Sequence, residues 1–215
     1  MPSPSDLIRP TPGNHEYQTT NAAGYFGYFG AAAGDPSKGY YSFDLGAWHV
    51  VALNSGKCSM SPAPPGGCVD AAQEQWLRAD LAANPRACTL AFWHHPRYSS
   101  GSHGNTTTVT PLWRALMDHG ADVVLTGHDH NYQRWVAQDA NGNATPAGMV
   151  EFVVGTGGAS RTSFSTTMPA NTAKRSSASN GILKLTLRDG GYDWQYLKAA
   201  GSTSTFTDTG SANCH

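Results

Sequence analysis

The amino-acid sequence predicts an α/β fold, in which a central run of strands and helices is followed by a C-terminal β-hairpin. Short apolar stretches alternate with two segments that carry helix start and stop signals, and an Asp-Gly-Gly turn separates two strand-like stretches near the C-terminus. With 215 residues, the chain is long enough to bury a sizeable core.

The first part of the chain predicts irregular structure, then two strands and a helix. Residues 1–39 are rich in Pro and Gly and are typical of loops. Residues 40–55 predict two strands that are joined near Gly46. A helix is indicated after Asp70, which can cap it together with Gln73 three residues later, and a following proline ends it.

The central region continues the alternation of strands and helices. Residues 88–95 predict a short apolar strand that ends in two histidines. A second helix begins at Thr110, with proline at its first position, and ends at Gly120. Strands over 121–127 and 149–158 follow, which indicates an α/β core.

The C-terminal part differs in composition. Residues 159–180 are rich in Ser, Thr and Asn and predict an exposed loop. Residues 181–198 predict a hairpin that turns at Asp189-Gly190-Gly191. We therefore expect one domain over 1–215 with its core between 10 and 160.

The charge of the chain argues against two classes of partner. The net charge is −1 and charged residues make up 13% of the sequence, so nothing in the composition attracts nucleic acid or an anionic membrane surface. No apolar run approaches the ~18 residues of a membrane span. We expect neither nucleic acid nor a membrane as a partner.

The four cysteines predict two disulfides. Cys58 and Cys68 bracket a loop of turn residues, whereas Cys88 opens a core strand and the penultimate residue, Cys214, is well placed to anchor the terminus. The predicted pairs are Cys58–Cys68 and Cys88–Cys214. No C-x-x-C spacing occurs, which argues against a structural zinc site. The even count favours an oxidising compartment, and four ordinary thiols are the alternative.

Four of the nine histidines stand at the ends of predicted strands. His128 and His130 are two residues apart, and in an extended segment their side chains project to the same side, as metal ligands require. His94 and His95 end another strand. If the pleat persists there, His95 points away from His94, and we expect only His94 at the site.

The remaining histidines divide into two groups. His15 lies in a turn-forming segment and His103 in a Gly/Ser loop, and such positions are where α/β proteins build functional sites. Structural roles are expected for His49 within a strand, for His119 at a helix C-terminus and for His215 at the chain end.

Taken with the segment Gly13-Asn14-His15-Glu16, these histidines occur in the order of a known motif set. The chain resembles the calcineurin-like metallophosphoesterases, and within them the purple acid phosphatase-like branch. The ordered motifs of that family are D-x-H, G-D-x-x-[DY], G-N-H-[DE], a lone His and G-H-x-H. This chain carries the last three as GNHE (13–16), His94 and GHDH (127–130), and the resemblance spans about residues 10–160.

The resemblance implies a four-layer α/β/β/α sandwich with the site at the strand ends between two sheets. It implies a hydrolase that cleaves small phosphoric esters, as a phosphatase or phosphodiesterase, with a binuclear centre and a metal-bound hydroxide. The two ions are divalent or of mixed valence, with Fe, Zn and Mn as candidates. Three residues would hold the second ion: Asn14, His94 and His128.

Three further histidines take roles by the same resemblance. His130 would bind the first ion. The ring of His15 would turn to the phosphate or the leaving group, and His103 would bind substrate and give a proton to the leaving oxygen. His15 and His103 are thus the candidate catalytic residues.

The chain departs from the family because its first two motifs are absent. No D-x-H occurs, and the Gly34-Asp35 pair follows GNHE instead of preceding it. The residues 1–10, MPSPSDLIRP, also lack the apolar stretch of a signal peptide. We expect one absent N-terminal segment to account for both, in a parent protein that is secreted or extracellular.

Two consequences are expected from this departure. The chain would retain ligands for about one ion, and its second sheet would be depleted, with an apolar face left uncovered. The alternative to an active enzyme is a catalytically impaired remnant that acts as a metal-binding or interaction module.

Overall fold

A computed structural model of the chain describes residues 7–59 and 68–215. The beginning of the predicted irregular segment 1–39 and most of the loop between Cys58 and Cys68 lie outside the described residues. The described part contains a seven-stranded mixed sheet, a three-stranded antiparallel sheet and three α-helices. The predicted α/β fold is confirmed.

The larger sheet has the strand order β1-β2-β3-β4-β6-β5-β7. Its centre, from β2 through β3 and β4 to β6, is parallel, and β1, β5 and β7 pair antiparallel at its two sides. The strands are β1 (Tyr41–Leu45), β2 (Trp48–Ala52), β3 (Cys88–Phe92), β4 (Val123–Thr126), β5 (Tyr132–Trp135), β6 (Val150–Val154) and β7 (Thr172–Ser176).

Two helices cover one face of this sheet. In α2 (Ala71–Ala83), the Asp70 carboxylate accepts a hydrogen bond from the backbone N–H of Gln73, as the capping pattern predicts. The other helix, α3 (Thr110–Asp118), begins and ends close to its predicted limits. Their apolar side chains pack on the sheet, and the largest of them are fully buried: Leu77, Leu112, Trp113 and Leu116. Burial of each such side chain contributes about 1.5–3 kcal/mol.

The three-stranded sheet covers the opposite face. It consists of β8 (Gly181–Arg188), β9 (Gly191–Lys198) and β10 (Thr209–Asn213), in the order β10-β9-β8. Tyr192 and Tyr196 of β9 pack against Trp48, Tyr132 and Phe152 of the larger sheet. Helices, large sheet and small sheet thus form successive layers.

Three expectations about individual segments are wrong. Within 1–39, residues Ala23–Phe29 form a helix, α1, whose Tyr25 and Phe26 are buried. Within the predicted loop 159–180, residues Thr172–Ser176 form β7; this polar edge strand has no apolar alternation to indicate it. The outer face of β8 is also not apolar, since Lys184, Thr186 and Arg188 accompany Ile182 there.

Both predicted disulfides are confirmed. Cys58 is bonded to Cys68, and Cys88 to Cys214, so the chain end is attached to the first residue of β3. In the part of the chain that the structure describes, no helix combines the length and hydropathy that crossing a membrane requires.

His49 has a structural role, as expected from its position in a strand. Its side chain is 2% exposed and lies between two carboxylates, with Nδ1 2.9 Å from Asp44 Oδ1 and Nε2 2.9 Å from Asp80 Oδ2. The hydrogen bond to Asp80 is the main cause that raises the pKa of His49 above its ordinary value, and the bond to Asp44 adds to it.

We predict that His49 stabilises the fold in a pH-dependent way. Because its pKa is raised on folding, the stabilisation is fully present below the unfolded pKa of about 6.5 and is lost as the pH rises through the folded value. Chemical unfolding should show that His49→Gln costs about 1–2 kcal/mol near pH 6 and clearly less near pH 9. The matched control is His119→Gln, at an exposed helix end. A cost for His49→Gln that does not change with pH would contradict the prediction.

Candidate metal centre

The candidate site lies where the parallel strands β3 and β4 end. Beyond β3, the backbone N–H of Trp93 donates to the carbonyl of Leu125, and the N–H of Gly127 donates to the carbonyl of His94. These two bonds continue the pairing past the ends of both strands. The second residues after the two strands, His94 and His128, are therefore held side by side.

The GNHE segment approaches the same point from the other side. The Gly13 N–H donates to Glu16 Oε2 at 2.7 Å, which closes this segment into a turn, and the Thr11 hydroxyl donates to the Leu53 carbonyl. A Cβ atom on residue 13 would lie 2.7 Å from Nδ1 of His94, closer than real Cβ contacts come. Gly13 therefore lets the backbone lie directly against the ring of His94.

Three donor atoms converge at this point. His94 Nε2 lies 2.8 Å from Asn14 Oδ1 and 3.1 Å from His128 Nδ1. Neighbouring ligands of an ion with bonds of about 2.1 Å lie about 3 Å apart when they subtend a right angle at the ion. One proton on His94 Nε2 can serve only one of these contacts well, whereas a cation accepts all three lone pairs. The donor set therefore fits a metal ion.

His95 also belongs to this cluster, so the expectation that it points away from His94 is wrong. Its ring centroid lies 4.8 Å from that of His94 and 4.3 Å from that of His128, and one nitrogen of each ring lies within 4.8 Å of the others. The cause is that β3 ends at Phe92, so the pleat does not extend to residue 95. The proline that follows His95 was the sequence signal for this early end.

His128 and His130 lie on a tight turn and not on an extended segment. His128 has a left-handed backbone (φ 61°), Asp129 N–H donates to the Gly127 carbonyl, and Asn131 N–H donates to the Asp129 carbonyl. His130 donates from Nδ1 to the Ser160 carbonyl at 2.8 Å and lies apart from the cluster of His94, His95 and His128. The prediction that the rings of His128 and His130 project to one point is therefore wrong.

The two candidate catalytic histidines flank this cluster. His15 follows Asn14, is exposed, and accepts a hydrogen bond at Nδ1 from the side-chain amide of Gln18. The ring centroid of His103 lies 4.5 Å from that of His128, and its Nδ1 lies 2.8 Å from a carboxylate oxygen of Asp129. Sequence reasoning missed Asp129, the middle residue of the GHDH motif.

The clustered imidazoles are held in their neutral form. Burial, assisted by the neighbouring histidines, lowers the pKa of His94 to about 3 and that of His128 to about 4. Burial likewise lowers the pKa of His95 to about 3. A neutral imidazole offers the lone pair that a metal ion needs.

A buried carboxyl group, that of Glu151, binds two segments next to the site by hydrogen bonds. Glu151 of β6 is fully buried and accepts hydrogen bonds from the backbone N–H groups of Arg97 and Tyr98 and from the hydroxyl of Thr126. Burial raises its pKa to about 8. This group connects the loop after His95 to the end of β4.

A cavity of about 630 Å³ opens beside the Ser160 carbonyl that binds His130. Its walls are formed by residues 158–163 together with Ser177 and Asn180. Arg161 is the one charged residue of this lining, so the cavity favours polar or anionic groups.

Comparisons with known proteins identify a family and several relatives that this chain resembles. The calcineurin-like phosphoesterase family model matches residues 5–132. Purple acid phosphatase 18 of Arabidopsis thaliana is 30% identical over 136 residues, which is 59% of this chain and 28% of that protein. Purple acid phosphatase 15 of the same plant is 33% identical over 132 residues, 59% of this chain and 23% of that protein. The chain thus spans less than a third of the length of these relatives.

Solved structures show the same fold. The purple acid phosphatase PPD1 from yellow lupin seeds superposes with a TM-score of 0.66 at 20% identity, and the match covers 82% of this chain and 33% of that one. GAP50, described as the anchor in the inner membrane complex of Plasmodium, superposes with a TM-score of 0.62 at 16% identity, over 82% of this chain and 53% of that one.

We predict that Gly13→Ala displaces the His94 ring. The added methyl group cannot fit 2.7 Å from Nδ1, so the variant should lose about 1–3 kcal/mol of unfolding free energy. It should also bind Zn²⁺ about tenfold more weakly in calorimetry. Gly157→Ala is the matched control, because nothing lies within 4 Å of its added Cβ. Unchanged Zn²⁺ affinity in Gly13→Ala would mean that His94 is not part of the metal site.

Proposed function

Because the chain belongs to the calcineurin-like phosphoesterase family, we propose that it acts as a metal-dependent hydrolase of small phosphoric esters, of the purple acid phosphatase type. The main support for this proposal is the position of His94 Nε2, which lies 2.8 Å from Asn14 Oδ1 and 3.1 Å from His128 Nδ1. Nothing in the fold of the described residues requires three such lone pairs to face one another.

The protein groups that would hold an ion are Asn14, His94 and His128, with His95 as an additional donor on the buried side. A bound divalent ion of the Fe, Zn or Mn type supplies a Lewis acid for the phosphoryl oxygens and lowers the pKa of water. His130 stands apart from these donors, as a ligand for a different ion would. Since the first two family motifs are absent, we propose about one ion per chain.

Two histidines would act on the ester itself. His15 is exposed and next to the ligand Asn14, so its ring can bind a phosphoryl oxygen. His103, whose side chain is 46% exposed, would give a proton to the leaving oxygen while the bond between phosphorus and that oxygen breaks. A water oxygen forms the new bond to phosphorus, and the leaving oxygen keeps the electron pair of the broken bond, takes the proton and departs as an alcohol or phenol.

The surroundings of the site support a small polar substrate. The cavity beside His130 has room for the organic part of an ester, and Arg161 can attract an anionic group there. The two disulfides support a secreted or extracellular location, because such bonds persist in oxidising compartments.

A second function is a metal-binding or interaction module without catalysis. It is favoured by the absence of D-x-H and G-D-x-x-[DY] from this chain. A neighbour in fold, GAP50, is described as the anchor in the inner membrane complex of Plasmodium. Metal content and turnover, measured on the same samples, separate the two functions.

The metal ligands are tested by single substitutions. We expect His128→Ala to weaken Zn²⁺ or Mn²⁺ binding by on the order of 100-fold, since one of three converging donors is lost. His95→Ala should weaken it less, and the exposed control His119→Ala should leave it unchanged. Metal analysis of the unsubstituted chain should give about one ion per chain. Equal losses in His128→Ala and His95→Ala would contradict the choice of ligands.

The reaction is tested with p-nitrophenyl phosphate. We expect slow hydrolysis that a metal chelator abolishes and that added Zn²⁺, Mn²⁺ or Fe restores. His103→Gln should lower kcat by about 100-fold or more while metal content stays unchanged. A chain that binds its ion but hydrolyses no phosphate ester would support the interaction module and exclude the hydrolase.

A further inference from the structure

Asp129 occupies an unusual position between His128 and His130. Its carboxylate is completely buried and uses both oxygens. Oδ1 accepts hydrogen bonds from Nδ1 of His103 at 2.8 Å and from the backbone N–H of His103 at 3.2 Å. Oδ2 accepts a short hydrogen bond from the Ser99 hydroxyl. A buried carboxylate is costly unless such partners are supplied, so this arrangement is a specific one.

The surrounding chain is built to hold this carboxylate in place. Ser99 Oγ accepts hydrogen bonds from the N–H of Gly101 and from the side-chain amide of the fully buried Gln133. A Cβ atom on residue 101 would lie 2.4 Å from the carboxylate of Asp129. Glycine at 101 thus makes room for the carboxylate, and Gln133 and Ser99 fix it from the opposite side.

This contact determines which nitrogen of His103 carries a proton. The backbone N–H of His103 donates to the same oxygen, Oδ1, which is therefore an acceptor, so Nδ1 must be the donor in its contact with Oδ1. Nε2 makes no hydrogen bond with the part of the chain that the structure describes, and half of the side chain is exposed to solvent. Across residues 7–59 and 68–215, His103 is also the one basic side chain that pairs with Asp129.

We propose that Asp129 is a positioning residue: it fixes the ring of His103 with Nδ1–H toward the carboxylate, so that Nε2, which carries the second proton of the protonated ring, faces the leaving oxygen of a bound phosphate ester. The catalytic consequence rests on the proposed hydrolase function, whereas the orientation of the ring does not. The GHDH motif would then have two roles, since His128 would bind the metal ion and the central carboxylate orients the proton donor.

The orientation can be tested without any activity. Long-range ¹H–¹⁵N spectra of the full chain, with and without Zn²⁺, report the tautomer of each histidine, and His103→Gln identifies the His103 signals. We expect Nδ1–H for His103 in the unsubstituted chain. We expect a mixture of the Nδ1–H and Nε2–H tautomers in Asp129→Ala, because this variant leaves Nδ1 without its acceptor. A neutral His103 ring that carries its one proton on Nε2 in the unsubstituted chain, or an unchanged tautomer in a folded Asp129→Ala chain, would overturn the proposal.

The catalytic consequence is tested with two substrates. A phenolate is a poorer leaving group than p-nitrophenolate, so it depends more on the proton donor. We expect Asp129→Ala to lower kcat for phenyl phosphate about tenfold more than kcat for p-nitrophenyl phosphate, with little change in KM. The double variant with His103→Gln should be no slower than His103→Gln alone. Equal losses on both substrates would overturn the positioning role. If the unsubstituted chain hydrolyses neither ester, the proposed function fails, and the spectra still decide the orientation.

Discussion

The site depends on the way in which two parallel strands end. The hydrogen bonds from Trp93 to Leu125 and from Gly127 to His94 continue the pairing of β3 and β4 beyond Phe92, where β3 ends, and then beyond the end of β4. This places His94 and His128, each two residues beyond the end of its strand, at a fixed separation. If this pairing slipped by one residue, His94 would meet a different part of the turn, and the contact of 3.1 Å with His128 would be lost.

Buried polar groups then hold the turns that carry the remaining side chains. Glu151 fixes the loop after His95, and Gln133, Ser99 and Asp129 fix the segment around His103. Such networks stabilise a structure only when every member has a partner, and the members named here do. These buried hydrogen bonds hold the backbone beside the clustered histidines. The neutral rings of His94, His95 and His128 therefore lie close together without an ionised partner for each.

The sequence predicted the parts of the fold that have local signals. Asp70 and Gln73 marked α2, the Asp-Gly-Gly turn marked the hairpin, and GNHE with GHDH marked the segments that meet at the site. The position of His95 depends on where β3 ends, which tertiary contacts decide. The strands β5, β7 and β10 are polar or irregular in pattern, and they are strands because a neighbouring strand pairs with them. The contact of Asp129 with His103 joins residues 26 positions apart, and no local pattern announces it.

The bond between Cys88 and Cys214 makes a covalent ring of most of the chain. Its two ends are 126 residues apart in sequence, and both His94 and His128 lie inside the ring. Asn14 lies outside the ring, and its contact with the histidines, from Oδ1 to His94 Nε2 at 2.8 Å, is non-covalent. A cross-link of this size restricts the unfolded chain by about 4–5 kcal/mol, but it does nothing to keep the amide of Asn14 near the two rings. A shared ion would bind Asn14 and the two histidines together, so metal binding would link the segment before β1 to the ring through coordination bonds.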